Sequence, residues 1–362
     1  MEHWRREAAK WGLRAKPDII GWGEAHKWAA NLAGRTHPRW DVLILDECHF
    51  GKNPQARRTK AVFGRGGLGW YARRIWCGSG TPAPNNVAEL WPLLRAFGRT
   101  KMDLDTFTRY FCRVDDQGKV RGNRPDRIGE LRAILKSFSL RRLKKDVLPE
   151  IGPIDIQEWY VRPEARFFNE PAWIIGEQEA AIRRQLAGMS DEDMLIFLAG
   201  DQEFATLRRY NALLKAPAVF DTVKFEHENG LLDRVVVFGH HKEALAALHE
   251  AFERAGIPSA LINGDTPQGQ RDGLIEEWKR TGVVLLASLT IASTALDLTA
   301  AHQVIALEMD WTPGVNWQAW QRPHRQGQTQ PVTVRVAMGT PIDEIVNDVL
   351  IRKIRSLAEI FD

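Results

Sequence analysis

The sequence predicts an α/β fold of two lobes, each a parallel sheet with helices on its faces, joined by a helical region. Three observations carry that expectation. Strand and helix patterns alternate along two separate stretches of the chain. Between them, from about Asp155 to Ala216, the pattern is mainly helical and irregular. The length, 362 residues, is enough for two domains with a core each. The boundaries this implies are residues 1–150 for the first lobe, 151–230 for the helical region and 231–362 for the second lobe.

In the first block "HWRREAAKW" reads as a helix, "KPDIIGW" as a short strand and "GEAHKWAANLA" as a helix. "DVLILDE" and "RRIWCGSG" follow as strands, then "NVAELWPLLRAF" as an amphipathic helix. Strands alternating with helices imply a parallel sheet covered by helices. The middle region holds the helical segments "EQEAAIRRQLAGM" and "DQEFATLRRYNALLK". The second block runs strand "DRVVVFGH", helix "KEALAALHEAFERAG", strand "PSALING", helix "GQRDGLIEEWKR" and strand "VVLLAS". Strands "AHQVIALE" and "PVTVRVAM" come next, and a helix begins at Pro341. No internal repeat or low-complexity tract interrupts this order.

Composition narrows the function classes. Apolar content of 44% and charged content of 27% are ordinary for a globular protein. No apolar run approaches a membrane span, and "MEHWRREAAKW" is not a signal peptide, so no membrane partner is expected. Cys48, Cys77 and Cys112 form no CxxC pair, which excludes the usual zinc site and fits a reducing cytosol. The net charge of +4 hints at a polyanionic partner. Basic residues outnumber acidic ones from Arg113 to Lys145, with Arg141, Arg142, Lys144 and Lys145 almost consecutive. Such a run is either a solvated helix face or a surface that tracks phosphates. Of the fourteen tryptophans most belong to packing, and some could stack on bases.

The chemistry gathers at strand ends. In "DVLILDECHF" an aliphatic run, read as a strand buried on both faces, ends in Asp46 and Glu47. Carboxylates at the carboxyl end of a parallel strand face the crevice where open α/β sheets bind ligands, and there they could hold magnesium and activate a water. A strand ending in solvated acids would look the same. "SGTP", Ser79 to Pro82, ends the next strand on the same sheet edge, either as a simple turn or as a hydrogen-bonded link to the carboxylates. "WQAWQRPHRQGQ" in the second lobe carries Arg322 and Arg325, three residues apart and expected on one helix face. An arginine presented across a cleft neutralises charge developing in phosphoryl transfer.

The segments "DECHFGKNPQARRTKAVFG", "SGTPAPNNVAELWPLL", "RRLKKDVLPEI" and "DWTPGVNWQAWQRPHRQGQ" resemble, in order, motifs of the Swi/Snf-type superfamily-two helicase-like ATPases. "DECH" looks like motif II, "SGTP" motif III, "VVVFGHHKEAL" motif IV, "SLTIASTALDLTAA" motif V and the arginine segment motif VI, with "INGDTPQGQR" between. "WRREAAKW" resembles the helix after motif Ia, and "PDIIGW" motif Ib. The likeness runs over nearly the whole chain and is nearest the annealing-helicase branch with its bacterial and phage relatives. It implies two RecA-like lobes and ATP-driven translocation on duplex or branched DNA, with ATP and magnesium as cofactors. Carried over motif by motif, Asp46 would hold magnesium through water, Glu47 would polarise the attacking water, and His49 would couple the site to motif VI and DNA. Ser79 and Thr81 would relay between nucleotide and nucleic acid. Arg322 and Arg325 would be arginine fingers, with Gln318 and Gln328 beside them. Lys52, Asn53, Asn263, Gly264, Thr290 and Trp311 sit where the family approaches DNA or braces its lobes.

Three departures qualify this expectation. No segment matches the P-loop pattern G-x-x-x-x-G-K-[ST], so the first lobe is expected to be incomplete at its N-terminus, completed by an upstream segment or a separate chain. Motif V has Ser293 and Ala295 where the family carries glycines, and Pro323 separates the two arginines. The alternatives to a translocase core are a DNA-binding module that does not hydrolyse ATP and one chain of a split ATPase. A cytoplasmic protein of a bacterium or phage fits a core without accessory domains.

Overall fold

β1 (Trp40–Leu45) and β2 (Ala72–Cys77) pair in parallel, with Leu45 opposite Cys77. The structure is a computed structural model that describes all residues except 1, 11, 13–16, 33, 35–38, 143, 168–201, 293–295, 349 and 352–362. It divides into two compact units, Met1–Phe138 and Ser139–Arg355.

In the first unit one face of the β1–β2 pair packs Leu43, Leu45, Ile75 and Cys77 against the helices Ala25–Leu32 and Arg57–Phe63. The other face is open: Ile44 is 63% exposed and its register partner Trp76 is 58% exposed. The expectation of a strand buried on both faces is therefore corrected. The apolar run is real, but helices cover only one side of it. A second core gathers Val87, Leu90, Leu94, Phe107, Phe111 and Leu131. Its helices begin where the sequence signals them: Asp103 caps Leu104–Phe111 by accepting from the Thr106 amide at 2.8 Å, and Pro125 opens Pro125–Lys136. The antiparallel hairpin β3 (Cys112–Val114) and β4 (Val120–Asn123) lies between them. "PDIIGW" forms no strand. Ile20 and Trp22 instead pack on the first core, with Trp22 in a short 3-10 turn.

The second unit is built on six parallel strands in the order β5-β10-β9-β6-β8-β7. These are β5 (Asp155–Tyr160), β6 (Val235–Gly239), β7 (Ser259–Ile262), β8 (Val284–Ser288), β9 (Gln303–Ala306) and β10 (Thr333–Met338). β6 and β8 are buried at every position, as a sheet covered on both faces requires. Val236 and Phe238 enter one core, Val235 and Val237 the other. The helix Gln202–Glu228 serves both cores, through Phe204, Leu207 and Leu214 on one side and Leu213, Val219 and Val223 on the other. Residues 341–348 are helical, as expected.

Two readings of the middle region change. Asp155–Tyr160, expected within a helical region, is the edge strand β5. Its positions are mostly exposed, which is why the residues show no buried-strand pattern. The helix Gln202–Glu228 belongs to the second unit's cores rather than to a separate region, so residues 151–230 make no domain of their own among the described residues. "EQEAAIRRQLAGM" lies outside the described residues.

Candidate active site

In the first unit the chain leaves β1 through a single unusual residue. Glu47 has φ 48° and ψ 53°, and among the described residues no other non-glycine has a positive φ. The Asp46 carboxylate accepts the Glu47 amide at 3.0 Å, and Trp22 Nε1 donates to the Asp46 carbonyl at 2.8 Å. Cys48 N and Gly78 O, 3.0 Å apart, carry the β1–β2 ladder past the strand ends. This brings "DECH" beside "SGTP". His49 Nδ1 is 3.0 Å from Ser79 Oγ and 3.2 Å from Glu47 Oε2, and the Thr81 amide donates to Ser79 Oγ at 3.1 Å. A carboxylate only accepts, so its presence favours the tautomer with the proton on Nδ1. The result is a series of contacts in which the Glu47 carboxylate faces His49 without a hydrogen bond of its own, and His49, Ser79 and the Thr81 amide are hydrogen-bonded in turn.

Three further residues complete this site without a signal of their own in the sequence. Trp22 ties down the Asp46 backbone. Glu89 pairs with Lys52 at 3.0 Å and accepts from both the backbone and the side chain of Asn85. Lys52, expected near DNA, is thereby anchored to the helix after "SGTP", while Asn53 is exposed and caps its own turn through Gln55 N. Cys77, distant in sequence from Cys48, is its hydrogen-bonding neighbour at the strand ends. That contact, and then burial, pushes the Cys77 thiol well above the usual range.

In the second unit the candidate residues cluster at the carboxyl ends of the strands, β6 being the central strand about which the chain order reverses. Asn263 after β7 accepts from Asp265 N at 2.9 Å, and Lys242 pairs with Asp265 at 2.6 Å beside Gly264. After β8, Thr290 bonds Ser288 at 2.9 Å. After β9, Glu308 accepts the amides of His240 and His241 at 2.9 and 2.8 Å and lies 2.6 Å from His241 Nδ1. Burial pushes the Glu308 carboxyl up, but these bonds and the charges of His241 and Arg208 outweigh it and hold the pKa at about 2. Trp311 is gripped by Arg208, whose guanidinium lies 4.7 Å from the ring centroid and donates to Met309 O at 2.6 Å. That makes it a packed brace. Asn316, also unanticipated, closes the Asp310 turn with two bonds, at 2.7 and 2.8 Å.

Arg322 and Arg325 do not share a helix. The helix Pro313–Trp320 ends before them, as Pro323 dictates, and they lie on the turn that follows. Arg322 is buried; Arg325 is half-buried with Nη1 3.5 Å from Leu296 O. Burial lowers the Arg325 pKa from its ordinary value, against the charge of Asp297. Gln318 is half-buried on the preceding helix. Gln328 has no side-chain group left over for a nucleotide. Its amide donates to the carbonyls of Ala301 (2.8 Å), Thr299 and Pro323, and its oxygen accepts from Thr329 N and Gln330 N, both at 3.0 Å. Arg141 and Arg142 are exposed, as a phosphate-tracking role needs. Lys144 differs: its ammonium is turned into the chain, onto Gln321 and His324. The Lys145 side chain, Ser293 and Ala295 lie outside the described residues.

Residues 27–170 match the family model described as SNF2-related domain, and residues 215–327 match the helicase conserved C-terminal domain. The Xenopus tropicalis SWI/SNF-related matrix-associated actin-dependent regulator of chromatin subfamily A-like protein 1 is 31% identical over 316 residues, covering 84% of this chain and 32% of that protein. The human DNA annealing helicase and endonuclease ZRANB3 is 28% identical over 353 residues, 94% of this chain and 31% of that protein. The putative ATP-dependent helicase/translocase YwqA of Bacillus subtilis is 26% identical over 359 residues, 94% of this chain and 37% of that protein. Among solved structures, the Sulfolobus solfataricus SWI2/SNF2 ATPase core in complex with dsDNA is similar over 89% of this chain and 72% of that one, at 17% identity and TM-score 0.41. The chain spans about a third of the length of the curated relatives first matched. With an SNF2-related domain followed by a helicase C-terminal domain, the chain belongs to the Swi/Snf-type helicase-like ATPases.

Proposed function

We propose that this chain forms most of the core of an ATP-dependent translocase on double-stranded or branched DNA, with Glu47 as the group that polarises the attacking water. The observation that carries it is the series of contacts from Glu47 through His49 to Ser79 and Thr81. A carboxylate held merely for folding has no need of a left-handed backbone that turns it toward a histidine.

The residues fit a magnesium nucleotide. Glu47 Oε2 is buried without a hydrogen-bond partner, although it lies 3.2 Å from His49 Nδ1, which leaves it able to accept from a water. Asp46 is exposed at the strand end and would hold the metal through water, the usual arrangement for magnesium on a triphosphate. Bound magnesium would neutralise charge on the phosphates. The chain's own residues do the rest: Glu47 accepts the water's proton, His49 holds the carboxylate in place, and Ser79 and Thr81 receive that state through the His49 contact. Arg322 and Arg325 would stabilise charge on the transferred group. Contacts to DNA would come from exposed basic residues, Arg141 and Arg142 first.

No segment of this sequence has the P-loop pattern, so the test supplies one, as a fusion or as a second chain. DNA-stimulated phosphate release is expected, and Glu47→Gln is expected to abolish it with ATP and DNA binding retained, since the amide keeps the shape but not the basicity. Arg325→Ala should lower turnover about 10³-fold or more. Release by the Glu47→Gln assembly at the unsubstituted rate would overturn the assignment of Glu47.

A further inference from the structure

The turn bearing Arg322 and Arg325 lies beyond the end of its helix, so it must be held by something else. Gln328 closes one side of it. The other side is closed by Lys144, from the short helix Lys144–Val147 far away in sequence. An ammonium carries three protons, and the turn offers three acceptors: Gln321 Oε1, the His324 carbonyl at 2.5 Å and His324 Nδ1 at 3.4 Å. His324, only 3% exposed, places Nε2 2.9 Å from the Gly152 carbonyl. A carbonyl cannot donate, so the proton sits on Nε2 and the Nδ1 lone pair faces the ammonium. The same ring thus ties the turn to residue 152, and Lys144 ties it to residue 144.

We propose that Lys144 is a positioning residue for motif VI, its ammonium seated on the 321–324 turn so that Arg322 and Arg325 are presented in one fixed direction. This rests on the translocase reading above and adds a residue to its machinery. The arrangement is a poor way to gain stability. Among the described residues no carboxylate meets the ammonium, and burial together with the charge of Arg325 pushes the Lys144 pKa below its ordinary value. Burying a charge against neutral acceptors beside a like charge costs more than an apolar side chain of the same length would. What the cost secures is geometry: three convergent bonds fix a turn that no helix supports. Lys144 and Arg325 also concentrate positive charge, opposed at Arg325 by Asp297, and a polyphosphate would be drawn to it. Arginine cannot replace lysine here, because its planar fork does not converge on three acceptors around one nitrogen.

The test uses the full chain labelled with 15N-histidine and the variants Lys144→Met and Lys144→Arg. The charged group facing His324 is Lys144, which Arg325 neighbours in turn; the remaining contacts are the Gly152 and Ile151 backbone and the Gln321 side-chain oxygen, 3.4 Å from Nδ1. In the unsubstituted chain His324 should show the neutral Nε2–H signature. Lys144→Met should move the Nδ1 resonance and raise the His324 titration midpoint, since one adjacent positive charge is removed. Unmoved signals from His249 and His302 show that the fold persists. In a hydrolysing assembly with a P-loop segment, both variants should lower kcat at least about tenfold with little change in KM for ATP. An unchanged His324 spectrum in Lys144→Met overturns the proposal, and so does an unchanged kcat. If even the unsubstituted assembly releases no phosphate, the translocase reading fails instead, and the His324 spectrum alone decides whether Lys144 shapes the turn.

Discussion

One backbone conformation at Glu47 does two jobs: it ends β1 abruptly and swings the carboxylate toward His49. A left-handed conformation costs an L-residue about 1 kcal/mol, and asparagine tolerates it better than most. Both Glu47→Gln and Glu47→Asn remove the charge, but only asparagine also relieves the backbone. Glu47→Asn should therefore be more stable than Glu47→Gln by about 0.5 kcal/mol in urea unfolding of the full chain. Equal stabilities would mean that the conformation is unstrained and carries no functional weight. That Asp46, Glu47, His49 and Ser79 come together at the strand ends was legible in the sequence, because the pattern of an apolar run ending in carboxylates survives without coordinates. The left-handed turn was not, since nothing in "LDECHF" marks φ. Lys144 was legible as a basic residue but not as an inward-facing one, because its partners lie near residue 324 and charge runs report composition, not direction.

Strands and helices were readable in proportion to how completely they are buried. β6 and β8 are apolar throughout and fell where expected; β5, an exposed edge, was absorbed into a helical region. The same rule that picked out Asp46 also applies to "QVIALEMD", where Glu308 and Asp310 end β9. There the carboxylates are structural: Glu308 ties β9 to the turn after β6. Its effect on stability follows from its pKa, about 2 against an ordinary 4.5. A carboxyl whose folded value is depressed stabilises fully above its unfolded value, and that contribution is lost as pH falls through the folded value. The window is from about pH 4.5 down to 2, and the contribution is about 3 kcal/mol at neutral pH. Hydrogen exchange at β6 and β9 amides should quicken across that window beyond the intrinsic change with pH. Glu308→Gln should remove the acid-dependent part while starting from a less protected state. Protection that stays level from pH 4.5 to 2 would show that Glu308 is not the group in control.

At the scale of the whole molecule, the order of strands and helices was legible because alternation of the two patterns preserves it. Where the chain divides was less so: the second unit begins at Ser139, not near residue 151, and so takes in the basic segment. Within that segment lie two kinds of positive charge. Arg141 and Arg142 are exposed, whereas Lys144 is turned onto the 321–324 turn. Each phosphate neutralised adds about 0.9 to the slope of log affinity against log salt on duplex DNA. Reversing both arginines, Arg141→Glu with Arg142→Glu, should weaken binding to any duplex sequence and flatten the slope by about two. Lys144→Met should change the slope by well under one, because an ammonium already held by acceptors of the 321–324 turn releases no counterion from DNA. Anisotropy of a labelled duplex between about 50 and 200 mM salt reads both. A Lys144→Met slope reduced as much as that of a single arginine reversal would place the ammonium on the DNA surface and return Lys144 to the phosphate-tracking set. A slope untouched by the arginine reversals would remove residues 141 and 142 from that set and send the search for the DNA contacts to the strand-end loops of the second unit.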